Sequence, residues 1–125
     1  MSIRKGSDAM IFLQYPPCST CKKAKAWLDG RGVDYEDRHI KENNPTYEEL
    51  KAWYEQSGLP LKRFFNTSGL KYKELNLKER LPNMTEEEQL RLLASDGMLV
   101  KRPILLTESA VLLGFREKEW EALLL

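Results

Sequence analysis

The stretch Met10-Ile11-Phe12-Leu13-Gln14-Tyr15-Pro16-Pro17-Cys18-Ser19-Thr20-Cys21 decides the fold. Met10 to Tyr15 is a short apolar run that reads as a buried strand. Pro16 and Pro17 stop it, because proline offers no N–H to a ladder and fixes φ. From Ser19 to about Asp29 the spacing is helical, with Cys21, Ala24, Trp27 and Leu28 on one face. Gly30 and Gly32 end that helix. Both cysteines of the chain therefore lie on one strand-to-helix turn.

Working outward, Val33 to Ile40 reads as a second, more polar strand, so strand–helix–strand is complete early in the chain. The middle is helical. Thr46 with Glu49 forms a capping box after Pro45, Leu50, Trp53 and Tyr54 supply an apolar face, and Gly58 closes the segment. Leu59-Pro60-Leu61 starts a short helix carrying Phe64 and Phe65. Asn66-Thr67-Ser68-Gly69 is a turn, and Leu70, Leu75 and Leu77 suggest further short helical turns. Thr85 with Glu88 is a second capping box, leading into Leu90, Leu92 and Leu93, with Ser95-Asp96-Gly97 at the end. Ile104 to Thr107 and Ala110 to Leu113 are hairpin-spaced strands around Glu108-Ser109, and Glu117 to Leu124 is a last helix with Trp120, Leu123 and Leu124 on one side. The order βαβ, helices, ββα predicts an α/β, thioredoxin-like sheet with an inserted helical subdomain at about 45–97.

Bulk properties bound the reading. A chain of 125 residues with 42% hydrophobic content makes one compact domain over 10–125. Residues 1–9 are polar and read as an N-terminal extension or an engineered remnant, with no apolar core of a secretory signal. A net charge of +1 sets up no long-range field toward nucleic acid or a membrane surface. No run approaches the roughly 20 apolar residues of a membrane span. These features predict a cytoplasmic protein, where a C-x-x-C is more often catalytic or redox-sensing than a structural staple.

The chemistry follows from the turn. Thiolate is the nucleophilic form of cysteine. Cys18 starts a helix, where unsatisfied N–H groups and the macrodipole favour negative charge, and Lys22, Lys23 and Lys25 add positive charge nearby. Cys18 is thus the expected attacking thiol and Cys21, one turn inside on the apolar face, the resolving thiol. The alternative is a pair of inert core residues. A zinc site is disfavoured, since structural zinc takes four N/S ligands and the only histidine, His39, lies in a polar strand as a surface or packing residue. Arg102-Pro103-Ile104 is the second informative feature. A proline at the first position of a strand loses no ladder donor, and in thioredoxin-like domains a cis-proline there faces the cysteine turn. Arg102 would then point toward Cys18, able to stabilise a thiolate or to hold an oxyanion by its planar fork. The alternative is a solvated Lys101–Arg102 pair on a loop.

Taken together, Cys18-Ser19-Thr20-Cys21-Lys22-Lys23-Ala24, Trp27-Leu28, Phe65-Asn66-Thr67-Ser68-Gly69 with Tyr72, Asp96-Gly97-Met98-Leu99-Val100, Lys101-Arg102-Pro103-Ile104 and Gly114-Phe115 resemble the arsenate reductase/Spx family, over Met10 to Leu124. The resemblance implies a thioredoxin-like fold with a helical insertion. For the reductase branch it implies Cys18 as nucleophile and Arg102 as the arginine before the proline. It also implies an anion held at the Ser19-Thr20 turn and Pro103, and further cations at Lys62 or Arg63 and at Arg116. It implies no bound cofactor, and a thiol reductant (glutathione with glutaredoxin, or thioredoxin) as electron donor. Where these reductases commonly carry Gly-Thr-Ser after the cysteine, this chain has Ser19-Thr20-Cys21. The regulator branch shares the C-x-x-C and Arg-Pro-Ile and implies an oxidation switch acting on RNA polymerase. The Phe65 to Tyr72 segment resembles the enzyme-like members more closely. No basic tail or nucleic-acid reader is present, so a transcriptional role would run through a protein partner.

Overall fold

The structure, a computed structural model, describes residues 10–124. The expectations placed on residues 1–9 and on Leu125 lie outside the described residues. The described residues fall into two compact units, one made of the segments up to His39 and from Arg102 onward, the other of Ile40–Lys101.

The first unit is built on a four-stranded sheet. Strand β1 (Met10–Gln14) pairs in parallel with β2 (Tyr35–His39) and antiparallel with β3 (Ile104–Leu106), and β3 pairs antiparallel with β4 (Val111–Leu113). The order is β2-β1-β3-β4. The central strands read as continuous apolar runs, as interior strands do, with Phe12 opposite Leu105 and Leu13 opposite Ile104. The edge strand β2, Tyr-Glu-Asp-Arg-His, is polar, which blunts an exposed ladder. It is shorter than the predicted Val33–Ile40. Val33 belongs to the close of the preceding helix, and Ile40 lies in the other unit.

Helix α1 (Ser19–Gly30) follows β1 and helix α6 (Glu117–Leu124) follows β4. Both pack on one sheet face, where Met10, Phe12 and Leu105 meet Ala24, Trp27, Leu28 and Trp120. Trp120 is fully buried and sits edge-on to Phe12, Trp27 and Phe115, with ring centroids 6.4, 6.0 and 4.8 Å away. Such aromatic pairs contribute roughly 0.5–1.5 kcal/mol each beyond area burial. Helix α1 ends in a Schellman motif. Val33 N–H donates to Leu28 C=O and Gly32 N–H to Asp29 C=O, and Gly32 supplies the left-handed φ of +67°. Leu123, expected beside Trp120, is instead 39% exposed.

The second unit is helical: α2 (Tyr47–Ser57), α3 (Leu70–Glu74), α4 (Leu77–Arg80) and α5 (Glu86–Ser95), with 3-10 turns at Leu61–Phe64, Leu81–Asn83 and Gly97–Leu99. Both predicted capping boxes form: Thr46 with Glu49 at α2, and Thr85 with Glu88 at α5. Leu50, Leu61, Phe64, Phe65, Tyr72, Leu77, Leu90 and Leu93 are buried. Trp53 and Tyr54 are only half-buried, and Leu70 is 77% exposed, because the helix there begins at Leu70 and turns Tyr72 inward instead. An isolated antiparallel bridge joins Phe65 to Val100, reinforced by Asn66 N–H to Leu99 C=O and Lys101 N–H to Phe64 C=O, both 2.8 Å. The fold of the chain is thioredoxin-like α/β.

Candidate active site

The turn between β1 and α1 is set by the prolines. Tyr15 C=O accepts the Cys18 N–H at 2.9 Å, closing a turn over Pro16-Pro17. Cys18 then takes the N-cap position with extended φ −74°, ψ 127°, and its side chain makes no capping hydrogen bond. No acidic residue occupies the first turn of α1. The first-turn N–H groups, orphaned at any helix start, therefore face the Cys18 sulfur, those of Cys21 and Thr20 in particular.

The two thiols are electrostatically unlike. Both are free in the structure, Cys18 partly exposed and Cys21 fully buried. Partial burial pushes the Cys18 pKa up, but the Cys21 N–H, the Cys21 thiol, the Thr20 N–H and the Arg102 charge together outweigh it, and the net direction is down from 9.0. Cys21 goes the other way. Burial, the Cys18 sulfur beside it and the charge developing there push it up to about 12, against the Tyr15 N–H, which donates to its Sγ at 3.5 Å, and the pull of Arg102. The arrangement makes Cys18 the more acidic sulfur and keeps Cys21 protonated, which suits an attacking and a resolving thiol.

Arg102 is placed as the sequence led us to expect. The Arg102–Pro103 peptide bond is cis, and Pro103 is buried directly before β3. The Arg102 guanidinium lies over the Tyr15 ring, 5.1 Å from its centroid, and its charge acts on both cysteines. Tyr15 in turn meets His39 edge-on at 5.9 Å, so His39 is a packing residue beside the turn. No group of residues suited to a metal ion occurs among the described residues.

The remaining sequence candidates separate. Ser19 and Thr20 are exposed at the first turn of α1, Thr20 contributing its N–H to Cys18. Arg116 is exposed at the start of α6 and pairs with Glu119 at 3.5 Å. Lys62 and Arg63 belong to the helical unit, where they line a cavity of about 360 Å³ with Pro60, Phe65, Thr67 and Lys101. Lys25 does not serve the thiols. It donates to the Tyr35 hydroxyl at 2.7 Å and pairs with Asp29, one helical turn on, at 3.7 Å and with Asp37 of β2 at 3.6 Å; the β1–β2 pairing is what brings Tyr35 and Asp37 to it. Tyr15 is the residue that sequence reasoning missed. Its carbonyl fixes Cys18, its N–H meets Cys21, and its ring carries Arg102. The available signal was an aromatic side chain at the strand end, immediately before Pro16-Pro17.

Comparison with known proteins gives a consistent picture. Residues 13–123 match the ArsC family. The chain is 57% identical over 113 residues to uncharacterized protein YusI of Bacillus subtilis, covering 90% of this chain and 96% of that one. It is 32% identical over 110 residues to regulatory protein MgsR of the same organism, covering 88% and 86%. Among solved structures, a possible arsenate reductase from Streptococcus mutans superposes with a TM-score of 0.84 at 44% identity, over 91% of this chain and 98% of that one.

Proposed function

The chain belongs to the ArsC family, and from that membership and the unlike pair of thiols we propose that it is a cytoplasmic thiol–disulfide oxidoreductase of arsenate reductase type. The single observation that carries the reading is the polarity of the pair: Cys18 lowered at an uncapped helix start, Cys21 raised and buried one turn inside. The Cys18 thiolate attacks one sulfur of a substrate disulfide, the S–S bond breaks, and the departing thiolate takes a proton from solvent. Cys21 gives up its proton and attacks the Cys18 sulfur, releasing the second substrate thiol and leaving a Cys18–Cys21 disulfide. Toward arsenate the same pair of sulfurs supplies two electrons, giving arsenite, water and the internal disulfide. Thioredoxin, or glutathione with glutaredoxin, returns the disulfide to the dithiol. Arg102 stabilises the thiolate, and its planar fork suits an oxyanion at the turn. Steady-state turnover with each reductant, with and without arsenate, tests this. Disulfide or arsenate reduction that depends on Cys18 supports it, and no turnover with either reductant overturns it.

A second reading is favoured by the similarity to MgsR, a regulatory protein: oxidation of the pair would switch binding to RNA polymerase. Affinity capture with RNA polymerase subunits, comparing reduced and oxidised protein, separates the readings. Redox-dependent capture without turnover selects the regulator.

A further inference from the structure

The helical unit contains a cavity of about 300 Å³, and every residue lining it lies between Tyr54 and Gln89. Its wall is assembled by ties within that unit. Tyr54 of α2 donates its hydroxyl to Glu86 of α5 at 2.6 Å, and its ring stands edge-on to Phe64 at 6.2 Å. Gln89 of α5 donates through Nε2 to the carbonyls of Leu81 and Met84, at 3.3 and 3.2 Å, and so holds the 3-10 turn at Leu81–Asn83. Leu61, Tyr72 and Leu81 are the buried part of the lining, whereas Lys62, Lys78 and Glu86 are exposed. Tyr72 closes the Phe65 to Tyr72 segment, to which the thiol chemistry assigns no role. It is 5% exposed, its ring meets Phe65 edge-on at 6.3 Å, and its hydroxyl has no hydrogen-bond partner among the described residues. A hydroxyl held in a largely apolar wall costs free energy unless a partner reaches it. The oxygen is not sealed in: the fully enclosed side-chain atoms without a partner, among the described residues, are Trp27 Nε1 and Trp120 Nε1. Tyr72 therefore keeps its hydroxyl open toward the cavity it lines. Both Nε2 hydrogens of Gln89 are engaged by carbonyls, so the atom it can offer is Oε1, an acceptor.

We propose that this cavity binds a small, uncharged, planar aromatic molecule with a hydrogen-bond acceptor beside an N–H donor, the pattern of a cyclic amide. The Tyr72 hydroxyl donates to the acceptor, Gln89 Oε1 accepts from the N–H, and the rings lie against Tyr54, Leu61 and Leu81. The volume is at the lower end of the range for small-molecule sites, which combine apolar walls with a few placed polar groups. Neutrality follows from where the charge sits. Glu86 is already tied to the Tyr54 hydroxyl, and the two lysines are exposed, where solvent screens them. The polar groups set into the wall are a phenol and an amide. The inference stands on the helical unit alone and holds whether or not the thiol pair turns over.

The test is a titration of the 15N-labelled full chain, followed by amide shifts, with three probes. These are 2-quinolone, which carries both groups, quinoline, which lacks the N–H, and quinoline-2-carboxylate, which is anionic. The expected result is saturable binding of 2-quinolone, with the largest shifts at Tyr72, Leu81 and Gln89. Quinoline and quinoline-2-carboxylate should bind more weakly, and added salt should leave the affinity for 2-quinolone unchanged. Tyr72→Phe removes an oxygen that has no partner among the described residues, so its thermal midpoint should match the wild type. Its affinity for 2-quinolone should fall about two- to tenfold, the equivalent of one hydrogen bond. No saturable binding overturns the proposal. So do shifts centred away from the cavity lining, wild-type affinity in Tyr72→Phe, or quinoline binding as tightly as 2-quinolone. A large loss of thermal stability in Tyr72→Phe also overturns it, since the hydroxyl would then serve the fold. Preferential binding of the carboxylate, weakened by salt, does so too, because the cations would then hold the ligand. Turnover at Cys18 is measured in a separate assay, so either reading can fail without the other.

Discussion

Helix α1 and helices α2 and α5 solve the same problem in opposite ways. Each begins with backbone N–H groups that have no partner in the helix. At α2 and α5 the sequence satisfies them internally, with Thr46 accepting from Glu49 N–H and Thr85 from Glu88 N–H, both at 3.1 Å, and acidic residues in the first turn. At α1 the cap position holds Cys18, makes no side-chain cap bond and has no acid in its first turn. The donors are left for a charge that appears only when the thiol ionises. The difference between a stabilised helix and a reactive one is thus a choice of cap residue, made at one position.

The strongest way to break this contrast is to give α1 an ordinary cap. Cys18→Ser should abolish turnover, since no nucleophile remains. It should leave the thermal midpoint unchanged or slightly raised, because serine is a preferred N-cap, worth about 0.5–2 kcal/mol over a poor one. Retained turnover would sink the assignment of Cys18, and a large loss of stability would show that the open start is itself structural.

The two sulfurs can next be separated by pH. Alkylation of Cys18 should reach half its maximal rate below pH 9.0, whereas Cys21 should label only on approach to about pH 12. The stability signs are opposite. Cys18, lowered in the fold, contributes stability above its unfolded pKa and loses it as pH falls through the folded value. Cys21, raised in the fold, contributes fully below 9.0 and loses it as pH rises toward about 12. Urea unfolding from pH 9 to 12 should therefore show a steeper loss for the wild type than for Cys21→Ala. Parallel slopes would remove the case for a buried resolving thiol held protonated by the fold. In turnover, Cys21→Ala should stall as a mixed disulfide on Cys18, visible by intact mass and cleared by excess small thiol.

The control for the contrast lies at α5. Thr85→Ala deletes a cap that serves only its helix, so it should cost about 1 kcal/mol in urea unfolding with turnover unchanged. A matching drop in turnover would mean that the helical unit's stability feeds the thiol chemistry.

How much of this was legible in the sequence follows from the range of the interactions. The α1 turn, both capping boxes, the glycine stops and the sheet strands rest on neighbours a few residues apart, and they read directly. Lys25 did not, since its partners Tyr35 and Asp37 are assigned by strand register rather than by spacing. The grouping of Lys62 and Arg63 with Lys101 depends on a bridge between Phe65 and Val100, which no local pattern encodes. Gly97 reads as a helix stop, but it is also required by close approach. A Cβ there would collide with the Ile40 carbonyl and come within 2.7 Å of Asn44 Oδ1.

Tyr15 gives the smallest expected effect and the sharpest reading of how the open cap is tuned. Its backbone bonds to Cys18 and Cys21 survive any side-chain change, so substitutions isolate the ring. The ring meets His39 edge-on and carries the Arg102 guanidinium 5.1 Å from its centroid, and a partly exposed cation–π pair contributes roughly 0.5–1 kcal/mol. Arg102 has further interactions and is not held by Tyr15 alone. Tyr15→Leu should therefore slow Cys18 alkylation at neutral pH by only about two- to fivefold, the rate equivalent of that energy, and raise the pH of half-maximal rate. Tyr15→Phe keeps the π face and should label like the wild type. If Tyr15→Phe is as slow as Tyr15→Leu, the hydroxyl rather than the ring is at work. If Tyr15→Leu labels normally, Arg102 is positioned by its other contacts, and its charge reaches Cys18 without the ring.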